Sequence, residues 1–341
     1  MATIELFKDI PLTSNSMGRI LPLLTTSSSF TKMTVRLAVE GVTTGKSPKS
    51  LSDCKSHRVL QPSSGSVCSM VKRGCCWGKI VLCFRNVRHL TLKNVTLEKF
   101  SDFMSIVCDF PLLETLVLDD LSWQCRSINK SRSSTYYRQL RRPVHIPLLR
   151  LRNNHTIDIA RWLMAQHHVP STQVLHFESG DLETNKTMRD LIAAVGSTVE
   201  VLQYTLPFSM NIQEYLEHAI DVNKCTNLRI LHLYNVILIP SRNPPCVAAI
   251  LNQASSPHLE KLVLTILFKD CVALDCFDWV TIGEMLSTEK FPSLKSVQIR
   301  IPDDGDFDCD EAENLIRRQK LSTWDEQGVL EVERFYPSNE D

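Results

Sequence analysis

Residues 87–123 read VRHLTLKNVTLEKFSDFMSIVCDFPLLETLVLDDLSW, and one short apolar phrase occurs in them twice: Val87, Leu90 and Leu92, then Leu113, Leu116 and Leu118. Each copy places apolar residues at i, i+3 and i+5, and the L-x-L pair that ends it falls on one face of an extended chain, where side chains alternate. Between the copies Leu97, Phe100, Met104 and Val107 follow i, i+3, i+7 and i+10, which is helical spacing. The stretch predicts a strand, a helix and a second strand.

The phrase recurs along the chain. L-x-L pairs stand at Leu90/Leu92, Leu116/Leu118, Leu149/Leu151, Leu175/Phe177, Leu202/Tyr204, Leu231/Leu233, Leu262/Leu264, Val297/Ile299 and Leu330/Val332, their first members 26, 33, 26, 27, 29, 31, 35 and 33 residues apart. Seven of the nine carry the earlier apolar residue, at Val87, Leu113, Ile146, Val199, Leu228, Leu259 and Leu294. Further helical stripes lie at Ile212, Leu216, Ala219 and Ile220, at Met188, Leu191, Ile192 and Val195, and at Trp279, Ile282 and Leu286. Pro111, Pro170, Pro257 and Pro292 each stand five residues before a pair, where proline turns the chain out of a helix and toward extended geometry. One strand and one helix of about 30 residues cannot bury their apolar stripes alone, whereas stacked copies can. The period predicts an α/β solenoid: an irregular arc with a parallel sheet on its concave side and helices on its convex side. An ordinary doubly wound α/β domain is the alternative, and it would want Gly-rich turns and less even spacing.

Composition bounds the function. The chain has 341 residues, 43% of them hydrophobic, and 38 basic against 38 acidic side chains. A neutral balance gives no electrostatic reason to expect nucleic acid or an anionic membrane. The twelve cysteines contain no C-x-x-C pair, and MATIELFKDI lacks the basic start and apolar run of a secretory signal. Reduced thiols in the cytoplasm or nucleus are therefore expected. The apolar runs NVILIP and LVLTILF stop at Pro240 and Lys269, far short of the roughly 20 residues a membrane span needs.

VRHLTLKNVTLEKFSDFMSIVCDFPLLETLVLDDLSW, KCTNLRILHLYNV, SPHLEKLVL and FPSLKSVQIRIP resemble the leucine-rich-repeat region of fungal F-box/LRR-like proteins, especially those of mushroom-forming fungi, over residues 81–336. The resemblance implies a leucine-rich-repeat solenoid. It also implies an N-terminal F-box docking on the Skp1 adaptor of a cullin-RING ubiquitin ligase, with the arc presenting a protein substrate. No F-box is recognisable, so Skp1 is expected as a partner only where one is present. The pattern departs from the family's at one position, since Asn94 and Asn235 come a place early and Val95 and Val236 stand where asparagine is expected. A regular asparagine ladder is not anticipated.

Outside the array, residues 1–40 read as first repeat units, with strands at Ile4/Leu6 and Val35/Leu37, as though the chain began inside the array. Residues 41–80 read as a low-complexity loop or insertion without order. It contains GVTTGKS, Gly41 to Ser47, which mimics a phosphate-binding loop but has three residues between its glycines where four are needed to wrap a phosphate in backbone amides. Cys68, Cys75, Cys76 and Cys83 match no zinc frame. A second insertion at 124–143 carries Arg126, Lys130, Arg132, Arg138, Arg141 and Arg142 without an acid. It reads either as a solvated, mobile segment or as a contact for an acidic or phosphorylated partner. Asp304, Asp306, Asp308 and Asp310 lack the glycine and final acid of an EF-hand loop, and their last members suit a helix start. His167 and His168 read as the end of a helix, and residues 337–341 as a tail.

No nucleophile elbow, metal frame or carboxylate pair stands in a recognisable context, so a non-enzymatic interaction module without cofactor is expected. Its candidate partner surface is the row between the L-x-L members: Thr91, Val117, Arg150, His176, Gln203, His232, Val263, Gln298 and Glu331, joined by Arg138, Arg141 and Arg142. That row reads equally as a plain solvated sheet face. A free-standing scaffold or truncated family member that recruits no ligase is the alternative, and a nucleotide-binding enzyme acting through Gly41–Ser47 the remote one. Titration calorimetry with ATP and GTP is expected to show no saturable binding, and Lys46→Ala to leave the traces unchanged.

Overall fold

The computed structural model describes residues 9–13, 36–40, 87–124, 137–151, 156–178, 182–206, 220–238, 245–286, 289–303 and 308–336, the first two segments as backbone. They form an α/β structure with eleven strands: β1 (Asp9–Thr13), β2 (Arg36–Glu40), β3 (His89–Leu97), β4 (Thr115–Trp123), β5 (His145–Leu151), β6 (Ser171–Glu178), β7 (Val201–Thr205), β8 (Ile230–Ile237), β9 (Lys261–Leu267), β10 (Ser296–Pro302) and β11 (Leu330–Phe335). The α-helices are α1 (Phe100–Asp109), α2 (Thr156–Met164), α3 (Leu182–Val195), α4 (Pro245–Gln253), α5 (Trp279–Met285), α6 (Cys309–Leu315) and α7 (Ser322–Glu326). The chain divides into two compact units, Met1–Pro147 with Ala165–Pro170 and Leu148–Met164 with Ser171–Asp341, the division falling inside β5. In the first, β1 to β5 are sheet neighbours in chain order; in the second, β5 to β11 are.

Register follows the L-x-L pairs. In the first unit Leu90 and Leu92 lie opposite Leu116 and Leu118 in parallel pairing. In the second, Leu175/Phe177, Leu202/Tyr204, Leu231/Leu233, Leu262/Leu264, Val297/Ile299 and Leu330/Val332 face one another strand by strand, again parallel. From Leu90 to Ile299 no member of any pair exceeds 2% exposure, so each side chain contributes roughly 1.5–3 kcal/mol of burial. Phe177 and Tyr204 widen the spine, their ring centroids 4.8 Å apart. The helix stripes are buried as well: Met188, Leu191, Ile192 and Val195 of α3 and Trp279, Ile282 and Leu286 at α5, as the spacing predicts. In α1 the buried set is Phe103, Met104, Ile106, Val107 and Cys108; Leu97 belongs instead to β3.

Two N-terminal strands differ in placement from the sequence reading. β1 is Asp9–Thr13, and residues 4 and 6 lie outside the described residues. β2 pairs Leu37 with Leu90 and Val39 with Leu92, so Leu37 is the first member of its pair and not the second. A two-residue shift keeps the same face of the strand toward its neighbour, which is why alternation alone did not locate it.

The early asparagines have a backbone role. Asn94, Asp120 and Asn235 adopt φ of 52°, 52° and 56°, a left-handed conformation that asparagine and aspartate tolerate better than other side chains. Each inserts one residue into the alternation. Leu92 and Val95, Leu118 and Leu121, and Leu233 and Val236 are all buried although three positions apart. β3 and β4 both carry the kink, so their register continues through Val95↔Leu121 to Leu97↔Trp123. β8 carries it and β9 does not, so their register slips between Leu233 and Val236 in a β-bulge.

Polar groups knit one repeat to the next at the turns. Arg88 O accepts from the amides of Glu114 and Thr115, Glu200 O from Arg229 and Ile230, Arg229 O from Glu260 and Lys261, and Glu260 O from Lys295 and Ser296, at 2.8–3.1 Å. Thr198 Oγ1 accepts from Thr172 N at 2.9 Å, and Ser256 Oγ donates to Leu228 O at 2.8 Å. Lys290 Nζ donates to Leu251 O and Asn252 O, carbonyls left over at the end of α4. Gly196 follows α3 where a Cβ would lie 2.8 Å from Lys224 O, so only glycine fits that approach. Replacing Asn94 or Asn235 by Gly should leave the urea midpoint nearly unchanged, while replacement by Val should cost about 1–2 kcal/mol through left-handed strain.

Candidate interaction surface on the sheet

The outward residues of the second unit stand in one row because the inward pairs do. His176 lies opposite Gln203, Gln203 opposite His232, His232 opposite Val263, Val263 opposite Gln298 and Gln298 opposite Glu331. Neighbouring strands are about 4.8 Å apart, so six strands carry the row across roughly 24 Å. In the first unit Thr91 lies opposite Val117. Arg150 is half-buried on β5.

The row is not uniformly solvated. His176, His232 and Val263 are only 5–7% exposed, whereas Gln203 and Gln298 are half-buried and Glu331 is exposed. Tyr234 accounts for the covering of the histidines: its ring stacks with His232 at 3.5 Å between centroids and with His176 at 5.5 Å. Tyr234 stands two residues from His232, on the same face of β8, opposite Thr205 and immediately before the left-handed Asn235. Thr265, 2% exposed, bonds through Oγ1 to His232 Nε2 at 2.8 Å.

Beyond β9 the face is bridged by charge. Lys261 Nζ reaches Glu331 at 3.3 Å, and Glu333 receives Gln298 Nε2 at 2.5 Å and Arg300 Nε at 3.1 Å. Arg300 also lies 5.1 Å from the Phe335 ring centroid, a cation–π distance. Burial, with the cations of Arg300 and Lys261 and with His176 nearby, pushes the His232 imidazole down from 6.5 to about 3, so it is neutral at physiological pH.

One further row escaped the sequence reading. Val174, Val201 and Ile230 are opposite one another, half-buried, and continue into Lys261 and Ser296. The signal was present as an apolar residue just before three successive L-x-L pairs, those at Leu175, Leu202 and Leu231. The importance of Tyr234 had no such signal, since it follows from contacts between strands.

The remaining candidates are distributed elsewhere. Arg138, Arg141 and Arg142 belong to the first unit and are exposed. Arg138 pairs with Asp109 at 2.6 Å, and its segment is held in place: Leu140 N donates to Gln166 Oε1 at 2.7 Å, and Gln139 Nε2 to Ala165 O at 3.0 Å. Arg126, Lys130 and Arg132 lie outside the described residues, as do Gly41–Ser47, Cys68, Cys75, Cys76, Cys83, Asp304 and Asp306. Asp308 caps α6 by accepting from Asp310 N and Glu311 N. His167 and His168 are exposed just beyond α2. Cys108, Cys225, Cys246, Cys271, Cys276 and Cys309 are free thiols, and burial pushes Cys108 and Cys246 up to about 11 and Cys225 to about 12, which makes those three poor nucleophiles. Among the described residues no group of three or more His, Cys, Asp or Glu is placed to hold a metal ion, and no helix is long and apolar enough to cross a membrane.

No protein-family model matches the chain, and no curated protein matches it.

A histidine depressed by folding stabilises the native state above its unfolded value near 6.5, and that contribution is lost as acid protonates the unfolded chain and not the folded one. Between pH 6.5 and 5 the wild type should lose about 1.5 kcal/mol more stability than His232→Gln, measured by urea unfolding at each pH.

Proposed function

We propose that the chain is a leucine-rich-repeat solenoid acting as a non-enzymatic protein-interaction module, with the outward face of β6 to β11 as its partner surface. Strictly sequential strand order in the second unit supports the repeat reading, because a doubly wound sheet reverses its order at a switch point. The observation that carries the functional reading is the unbroken register of His176, Gln203, His232, Val263, Gln298 and Glu331. Beside that row lie the half-buried apolar residues Val174, Val201 and Ile230 and the Tyr234 ring, the mixture of aromatic anchor, apolar centre and polar margin that protein partners use. Delivery of the partner to a ubiquitin ligase through Skp1 rests on the sequence resemblance alone.

The test is quantitative affinity capture from the cells that express the protein. Val201→Lys combined with Gln203→Lys should reduce specific partners at least tenfold, whereas Lys186→Glu, exposed on α3, should retain them. Identical partners for all three proteins overturn the reading. Recovery of Skp1 and cullin supports the ligase role; their clean absence leaves a free-standing scaffold.

A further inference from the structure

Away from the sheet face, the second unit has two clefts of about 430 and 400 Å³ that share Trp279, Val280 and Lys320. Such volumes suit a small ligand or one inserted side chain. The second is lined also by Gly283 and Glu284 of α5, by Leu321, and by Ser322, Thr323, Trp324 and Gln327 at α7.

Gly283 is the first clue. It sits inside a helix, where glycine is among the least favourable residues. Its backbone has no need of glycine, and a Cβ there would meet only Trp324 Nε1, at an ordinary 3.8 Å. Packing therefore does not require the glycine, whereas the cleft does gain from it: a methyl would stand on its floor against the Trp324 indole. The walls are mixed: Val280, 72% exposed, and the half-buried Trp324 supply apolar surface beside Ser322, Thr323 and Gln327. Lys320 arrives on a π-helical turn, Ile316–Lys320, a form of helix that often marks functional sites.

Charge selects the occupant. Lys320 Nζ is engaged by Asp275 at 2.5 Å, and Asp278 is engaged as the cap of α5 through Thr281 N at 3.1 Å. Glu284 is exposed and has no ion-pair partner among the described residues. With Lys320 neutralised by Asp275, the cleft offers a visitor one unpaired carboxylate, the Trp324 indole, a valine and the uncharged polar side chains of Ser322, Thr323 and Gln327. An indole is the strongest aromatic partner for a cation, and its attraction adds to that of the carboxylate. We propose that this cleft binds an alkylammonium or guanidinium group, with its apolar stem against Val280 and Trp324 and its charge beside Glu284. The inference does not depend on the sheet-face surface.

Free amines and the lysine or arginine side chains of a partner share this chemistry. The test follows the Trp324 indole N–H signal in ¹H–¹⁵N spectra, assigned with Trp324→Phe, during titration with hexylamine, with 1-hexanol and with Nα-acetyl-lysine N-methylamide. Hexylamine should shift the signal saturably, with at least fivefold greater affinity than hexanol, and Glu284→Gln should abolish that preference. Gly283→Ala should raise Tm yet weaken hexylamine at least threefold, a combination that a purely structural glycine does not give. Binding of the lysine derivative within threefold of hexylamine points to a protein side chain as the source; binding of hexylamine alone points to a free amine. Equal affinity for hexylamine and hexanol, no saturable shift, or unweakened binding by Gly283→Ala overturns the proposal. Glu284 is at the surface, so its variant tests the idea without burdening the fold.

Discussion

The contact on which the molecule depends is the lateral packing of one strand's apolar pair against the identical pair of the next. Leu202 and Tyr204 lie between Leu175/Phe177 and Leu231/Leu233, and all six are fully buried. A single strand and helix could not remove such side chains from water, so burial in each repeat is a property of its neighbours. At the last strand the support is one-sided: Leu330 is buried, but Val332 is only half so. Because inward and outward positions alternate, fixing the pairs also fixes the outward row, and the candidate surface is a by-product of the core.

Among the described residues, Asn94, Asp120 and Asn235 interrupt that alternation. Where adjacent strands share the left-handed kink, as at Asn94 and Asp120, the ladder passes through it unbroken. Where only one strand has it, as at Asn235, the ladder slips, and the residue just before the slip, Tyr234, stacks with two imidazoles. The same backbone device thus continues the buried ladder in one place and interrupts it in another.

Much of this was legible in the sequence, and the boundary has physical causes. The L-x-L spacing and the Met188 and Trp279 stripes could be read because burial repeats with the period of the element that presents it. The early asparagines were visible as a departure, but their meaning was not, since a left-handed residue within a strand and a polar residue at its end look alike in one dimension. The near-complete burial of His176 and His232 was illegible for another reason. It involves Tyr234, two residues along β8, whose ring stacks on His232 and on His176 two strands away, a contact between strands that no single strand's pattern records. The helix expected from Ile212 to Ile220 lies outside the described residues except for Ile220, which is buried. Gly283 is a further case: nothing local separates a glycine that fills a gap from one that leaves a gap open, and only the neighbouring Trp324 decides it.

The residues just before the strands carry alternating signs where they meet. Arg88 pairs with Glu114 in the first unit, and in the second Glu260 is shared by Arg229 and Lys295. Each of these surface pairs contributes little to stability, on the order of 0–1 kcal/mol. Their sum matters less than their arrangement. Duplicating the module that carries Arg229 or Glu260 would set like charges side by side along that margin. At these three junctions the strands share one geometry while their margins carry complementary charge, so neighbours that the backbone makes alike are distinguished at the rim.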